Sequence, residues 1–115
     1  MPTNSGRLTE SLHRQIMLRS GVKEHPKRHT DKVYRYQTSL GFEFAVEKRA
    51  IYPVLLVPAA AVKSRPEALD LTTVAAGTEG RNHNVNALPT FRDRPLLRLQ
   101  VRSVSDADRL LNCIG

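Results

Sequence analysis

Leu8, Leu12 and Ile16 stand four positions apart with Met17 beside them, while Arg7, Arg14 and Arg19 fall largely elsewhere. An apolar stripe of that period predicts an amphipathic helix over residues 8–20. Gly21 suits a left-handed cap after it, and Arg19 would bring a cation to the negative end of the helix dipole. Residues 22–31 are polar, basic and interrupted by Pro26, which is the composition of a surface loop.

From Lys32 the period changes to two. Tyr34, Tyr36 and Thr38 would share one face of a strand over residues 32–38, and Val33, Arg35 and Gln37 the other. After the turn Ser39-Leu40-Gly41, Phe42, Phe44 and Val46 alternate with Glu43, Ala45 and Glu47, so the two strands form a hairpin. Val54-Leu55-Leu56-Val57 has no polar face and lies between Pro53 and Pro58, which fits a short strand buried on both sides. Residues 59–95 mix alanines, glycines and asparagines and read as a long irregular crossover, with Pro66 suited to the first position of a short helix near 66–73. Leu97, Leu99 and Val101 then alternate with Arg98, Gln100 and Arg102, a strand with a basic face. Ser105, followed by Asp106 and Asp108, marks the start of a closing helix whose apolar side is Ala107, Leu110, Leu111 and Ile114.

This order implies an α+β fold: a two-layer sandwich with a mostly antiparallel sheet of about four strands. The N-terminal and C-terminal helices would pack on the face lined by Phe42, Phe44, Val46, Leu97, Leu99 and Val101. The other face would carry Arg35, Gln37, Glu43, Glu47, Arg98 and Arg102. At 115 residues, with 40% apolar and 25% charged side chains, a single domain spanning 1–115 is expected, with residues 1–6 flexible.

Charge changes the picture more than composition does. Lys and Arg outnumber Asp and Glu by 18 to 11, and the excess of +7 divides as +5 in residues 1–35, −1 in 36–80 and +3 in 81–115. A field of one sign over part of a surface attracts phosphate. The first basic segment, residues 23–35, offers Lys27, Arg28, Lys32 and Arg35 as phosphate contacts, with Tyr34 and Tyr36 available to stack on unpaired bases. The second, residues 81–94, is rich in groups that hydrogen-bond in pairs: Arg81, Arg92 and Arg94 present forks to guanine or phosphate, and Asn82, Asn84 and Asn86 match the edge of adenine. Arg98 and Arg102 extend this set along the following strand. The plain alternative for both segments is a solvated, turn-rich loop, held down in the second case by Leu88 and Phe91.

Several chemistries lack their residues. Cys113 is the single cysteine, so no internal disulfide can form, and its place in the last turn of a helix disfavours a reactive thiolate. A reducing, cytoplasmic setting is expected. The longest apolar stretch, residues 52–62, contains two prolines and falls well short of the ~20 residues of a membrane-spanning helix, and the N-terminus lacks a signal-peptide core. His25 and His29 have an H-x3-H spacing, but Pro26 breaks the helical turn a metal would need. There is no phosphate-binding glycine loop and no dinucleotide fingerprint, so no cofactor and no metal are expected.

Three functions stay open. The first is a nucleic-acid-binding or regulatory module without catalysis of its own, using a basic face built from loops 23–35 and 81–94 on DNA or RNA. The second is a protein-interaction domain of a mobile-element or defence-related system, meeting an acidic protein surface or a further copy of itself as a homo-oligomer. Ile51, Tyr52, Val62 and Leu88 are its candidate apolar contacts. The third is a metal-independent, toxin-like ribonuclease, in which His25, His29 and His83 would transfer protons while Lys27, Arg28 and Arg81 hold the phosphate.

Overall fold

The computed structural model describes residues 7–25, 33–39, 41–48, 51–62, 69, 71–74, 91 and 94–114. These form helix α1 (Arg7–Met17), strands β1 (Val22–Glu24), β2 (Val33–Thr38), β3 (Glu43–Glu47) and β4 (Val54–Pro58), a 3₁₀ turn (Ala59–Ala61), β5 (Leu71–Val74), β6 (Leu96–Gln100) and helix α2 (Val104–Leu111). The strands make one sheet in the order β1-β2-β3-β4-β6-β5, and every pairing is antiparallel. The α+β class and the antiparallel sheet follow the sequence pattern. The strand number does not: there are six rather than about four.

Both additional strands come from segments without apolar alternation. β1 arises inside the stretch that reads as a loop, and it pairs with β2 through Val22–Thr38, Lys23–Gln37 and Glu24–Tyr36. β5 occupies Leu71–Val74, where the pattern allows the end of a short helix, and pairs with β6. Each is an edge strand whose backbone gains hydrogen bonds from a neighbour already in place, so little apolar side-chain pattern is needed to specify it. The sequence of β5, Leu-Thr-Thr-Val, is rich in branched side chains that favour such a place.

The β2–β3 connection shows how local chemistry sets the register. Gly41 takes φ 88°, which L side chains rarely adopt, and its N–H donates to the Thr38 carbonyl at 2.9 Å. The Thr38 N–H in turn donates to the Phe42 carbonyl at 2.8 Å, and the Phe42 N–H to Thr38 Oγ1 at 3.1 Å. Gly21, at φ 79°, ends the turn after α1 so close to this hairpin that a Cβ there would lie 2.9 Å from Ser39 Oγ. At the other end of the chain the cap of α2 is Ser103 rather than Ser105. Its extended backbone lets Oγ accept from the Asp106 N–H at 3.3 Å.

Alternation divides the sheet between two apolar clusters. Tyr36, Phe44, Val46, Leu55, Val57, Leu97, Leu99 and Val101 join Leu12 and Ile16 of α1 and Ala107, Leu110 and Leu111 of α2. Arg19 links the two helices beyond the end of α1: Nη1 donates to Asp108 Oδ1 at 3.2 Å, and Nη2 to Asn112 Oδ1 at 2.7 Å. On the reverse face Val33, Ala45, Val54, Leu56 and Leu96 form a second buried cluster with Phe91. β4 supplies both clusters and is buried along its whole length, as a strand without a polar face requires. Among the described residues no helix is long and apolar enough to cross a membrane.

Candidate nucleic-acid interface

Antiparallel register fixes which candidate residues are neighbours. Across the reverse face one row runs Arg35, Ala45, Leu56, Arg98, Thr72, each member paired with the next. Arg35 and Arg98 therefore share a face and a row, but β3 and β4 stand between their strands. Three strand spacings separate them, about 14 Å. They do not form the single basic edge that neighbouring strands would have given.

Their surroundings also differ. Arg35 is buried, with 7% of its surface exposed, and so is Glu43, at 5%. The sequence reading placed both on an accessible charged face. The second apolar cluster, with Phe91, lies on this same face. Beside them, the His25 N–H donates to the Arg35 carbonyl at 3.0 Å, extending the row by one residue past β1. His25 Nε2 donates to Glu43 Oε2, and both side chains are only 7% exposed. The result is a buried polar patch of His25, Arg35 and Glu43, brought together from β2, β3 and the end of β1. A histidine expected in a loop is thus held by a carboxylate inside the fold.

Along β6 the same face remains accessible. Arg94 and Arg102 are exposed and Arg98 is half-buried. Arg98 lies within β6 on this face, and Arg94 and Arg102 flank the strand two residues beyond its ends. Arg102 keeps that direction beyond the strand, because its Nη2 donates to Oε1 of Gln100 at 3.4 Å. Its guanidinium also lies 5.4 Å from the ring centroid of Tyr52, an exposed tyrosine, with exposed Ile51 beside it in sequence. Among the described residues neither Arg98 nor Arg102 forms an ion pair. A cation against a tyrosine ring sets a phosphate-binding group beside an exposed aromatic surface.

The remaining candidates divide by position. Lys27, Arg28, Lys32, Arg81, Asn82, Asn84, Asn86 and Arg92 lie outside the described residues, as do His29, His83 and Leu88. Val62 is half-buried and bridges to Ile114. Cys113 lies just past α2 rather than in its last turn, and its Sγ donates to the Arg109 carbonyl at 3.4 Å.

One cluster escaped the sequence reading. His13 of α1 stacks on Tyr34 with ring centroids 4.1 Å apart, and its Nδ1 shares a 2.6 Å hydrogen bond with the Tyr36 hydroxyl. Lys48 Nζ sits 4.2 Å from the Tyr34 ring centroid. Burial, reinforced by Tyr34 and then Glu24, pushes the Tyr36 hydroxyl well above the ordinary tyrosine range, so it stays neutral and serves as a hydrogen-bonding core residue. Tyr36 is therefore not available to stack on a base, as the sequence had suggested. Half-buried Tyr34 already has Lys48 and His13 against its ring. The available signal was the alternation of Tyr34 and Tyr36 toward the helix face, where His13 borders the apolar stripe of α1.

Comparison with protein-family models, with curated proteins and with solved structures finds no match to this chain.

Proposed function

We propose that the chain is a nucleic-acid-binding module in which the two helices form a layer behind the sheet and β6 meets the phosphate backbone. The observation that carries this reading is the accessible Arg98 of β6 with Arg102 just past the strand against the ring of Tyr52, and Arg94 just before it. Guanidinium groups contact phosphates with paired hydrogen bonds, and a partly exposed tyrosine offers a sequence-tolerant stacking surface. An unpaired strand suits the site better than a duplex, because stacking on Tyr52 needs a base that is out of its helix. The overall charge of +7 adds long-range attraction for the same partner.

Fluorescence anisotropy with a labelled oligothymidylate at rising salt tests the proposal. Each phosphate neutralised should contribute about −0.7 to the slope of log affinity against log salt on a single strand. A slope near −2, reduced in Arg98→Ala and in Arg102→Ala, is the expected result. Absence of binding at low salt, or a flat salt response, overturns it.

A further inference from the structure

Gln100 ends β6 between Arg98 and Arg102, and the register puts it on the face of Arg98. Gln100 pairs with Val54 and Arg98 with Leu56, both members of the reverse-face cluster, so the two side chains point to that side of the sheet. The β4–β6 pairing continues one step further, because the Val101 N–H donates to the Pro53 carbonyl at 2.8 Å. This sets Tyr52 across from Arg102, in keeping with the guanidinium against its ring. Gln100, Arg102 and Tyr52 are all exposed, and the first two are joined by the bond from Arg102 Nη2 to Gln100 Oε1 at 3.4 Å.

That bond decides which way the Gln100 amide faces. A guanidinium carries donors and no acceptor, so the amide atom against it is the oxygen, and the amine with its two N–H groups turns away from Arg102. An approaching ligand therefore meets donors from two adjacent side chains, while the amide oxygen is already engaged. The Hoogsteen edge of guanine answers this pattern, because O6 and N7 are neighbouring acceptors that face away from the sugar. On the same edge adenine places an amine beside N7, and thymine a single carbonyl beside its methyl group. Cytosine has two adjacent acceptors in N3 and O2, but O2 lies against its own sugar, where side chains reach it less easily.

We propose that Gln100 and Arg102 together read the O6/N7 edge of one unpaired guanine in the strand bound along β6. The inference rests on the phosphate-binding reading and adds base selectivity to it. Gln100 is the selecting residue, since its amine supplies the donor that an arginine on phosphate alone does not. A guanidinium has five N–H groups, so Arg102 can orient Gln100 and reach the base with different ones. Selectivity then concerns one position of the strand, while neighbouring nucleotides contribute through their backbone.

The test compares a plain oligothymidylate with the same strand carrying one central guanine, adenine, cytosine, hypoxanthine or 7-deazaguanine, in wild type and in Gln100→Ala. The guanine strand should bind about tenfold more tightly than the plain strand. Hypoxanthine keeps O6 and N7 and should match guanine, whereas 7-deazaguanine lacks N7 and should fall back toward the plain strand. In Gln100→Ala the preference should vanish while the salt slope for the plain strand persists, because no charge is removed. Gln100 is exposed, so the urea midpoint of this variant should stay close to that of wild type. Equal affinity for all strands with an intact salt slope overturns the base reading and leaves phosphate binding standing. A preference for adenine or cytosine, a 7-deazaguanine strand that binds as tightly as guanine, or a guanine preference that survives in Gln100→Ala overturns it too. Failure of every strand to bind at low salt is the different result that removes the phosphate reading and this inference with it.

Discussion

Arg35 and Arg98 lie on the same face of one sheet and in the same transverse row, yet one is enclosed and the other reaches solvent. In the sequence they are equivalent: each is a basic residue at an alternate position of an apolar strand. In the fold, Arg35 stands beside the His25–Glu43 pair, while Arg98 lies in β6 four residues from Arg102, whose guanidinium rests on Tyr52. The difference teaches that a cation's role depends on what covers its strand. A covered arginine is part of the protein's internal polar network, and an open one contributes to the external field.

The sharpest way to break this comparison is through the enclosed side. His25→Ala removes one hydrogen-bonding partner of a buried carboxylate and should lower stability by about 2 kcal/mol in urea unfolding, since a weakened set of bonds to a buried charged group is costly. His25→Leu combined with Glu43→Leu should be milder, because both members of the hydrogen-bonded pair are removed together and apolar groups fill the space. If the double variant is as unstable as the single one, the pair is not what couples these strands.

The helix face provides an intermediate case. Tyr36→Phe removes the hydrogen bond to His13 and should cost about 1 kcal/mol. It should also alter the alkaline limb of the stability curve. The hydroxyl is raised in the folded state above the ordinary 10.0, so the unfolded chain releases this proton first. Its contribution is complete below about pH 10 and diminishes as pH rises beyond that. Urea midpoints measured from neutral to strongly alkaline pH should therefore fall less steeply in Tyr36→Phe than in wild type.

On the open side the stability effect is smallest. Arg98→Ala should change the unfolding free energy by less than about 0.5 kcal/mol. It should nevertheless reduce the slope of log affinity against log salt by roughly 0.7, the share of one phosphate on a single strand. A destabilisation comparable to that of His25→Ala would place Arg98 with the enclosed residues instead.

How much was legible follows from the kind of signal each residue gives. Leu8, Leu12 and Ile16 announce α1, and the alternation around Phe44 and Leu99 announces β3 and β6, because a side chain's burial there depends only on local period. β1 and β5 were not legible, since pairing with β2 and β6 stabilises their backbones and that pairing joins distant parts of the chain. Of the proposed site, Arg94, Arg98 and Arg102 stand out in the sequence by charge alone. Glu43 has the sequence pattern of a surface acid and His13 carries no signal of its own, as each takes its meaning from a partner on another element: His25 for the first, Tyr34 and Tyr36 for the second.

The amino-acid order by itself determined the periods, the positive-φ turn at Gly41, the α+β class and the allocation of side chains to sheet faces. Those are properties of neighbouring residues, governed by backbone sterics and by the spacing of apolar groups. Only the tertiary structure decided the strand order, and with it the distance between Arg35 and Arg98. It also decided which charges are enclosed, because burial is set by the layers that close over a face, and those layers are assembled from residues remote in sequence.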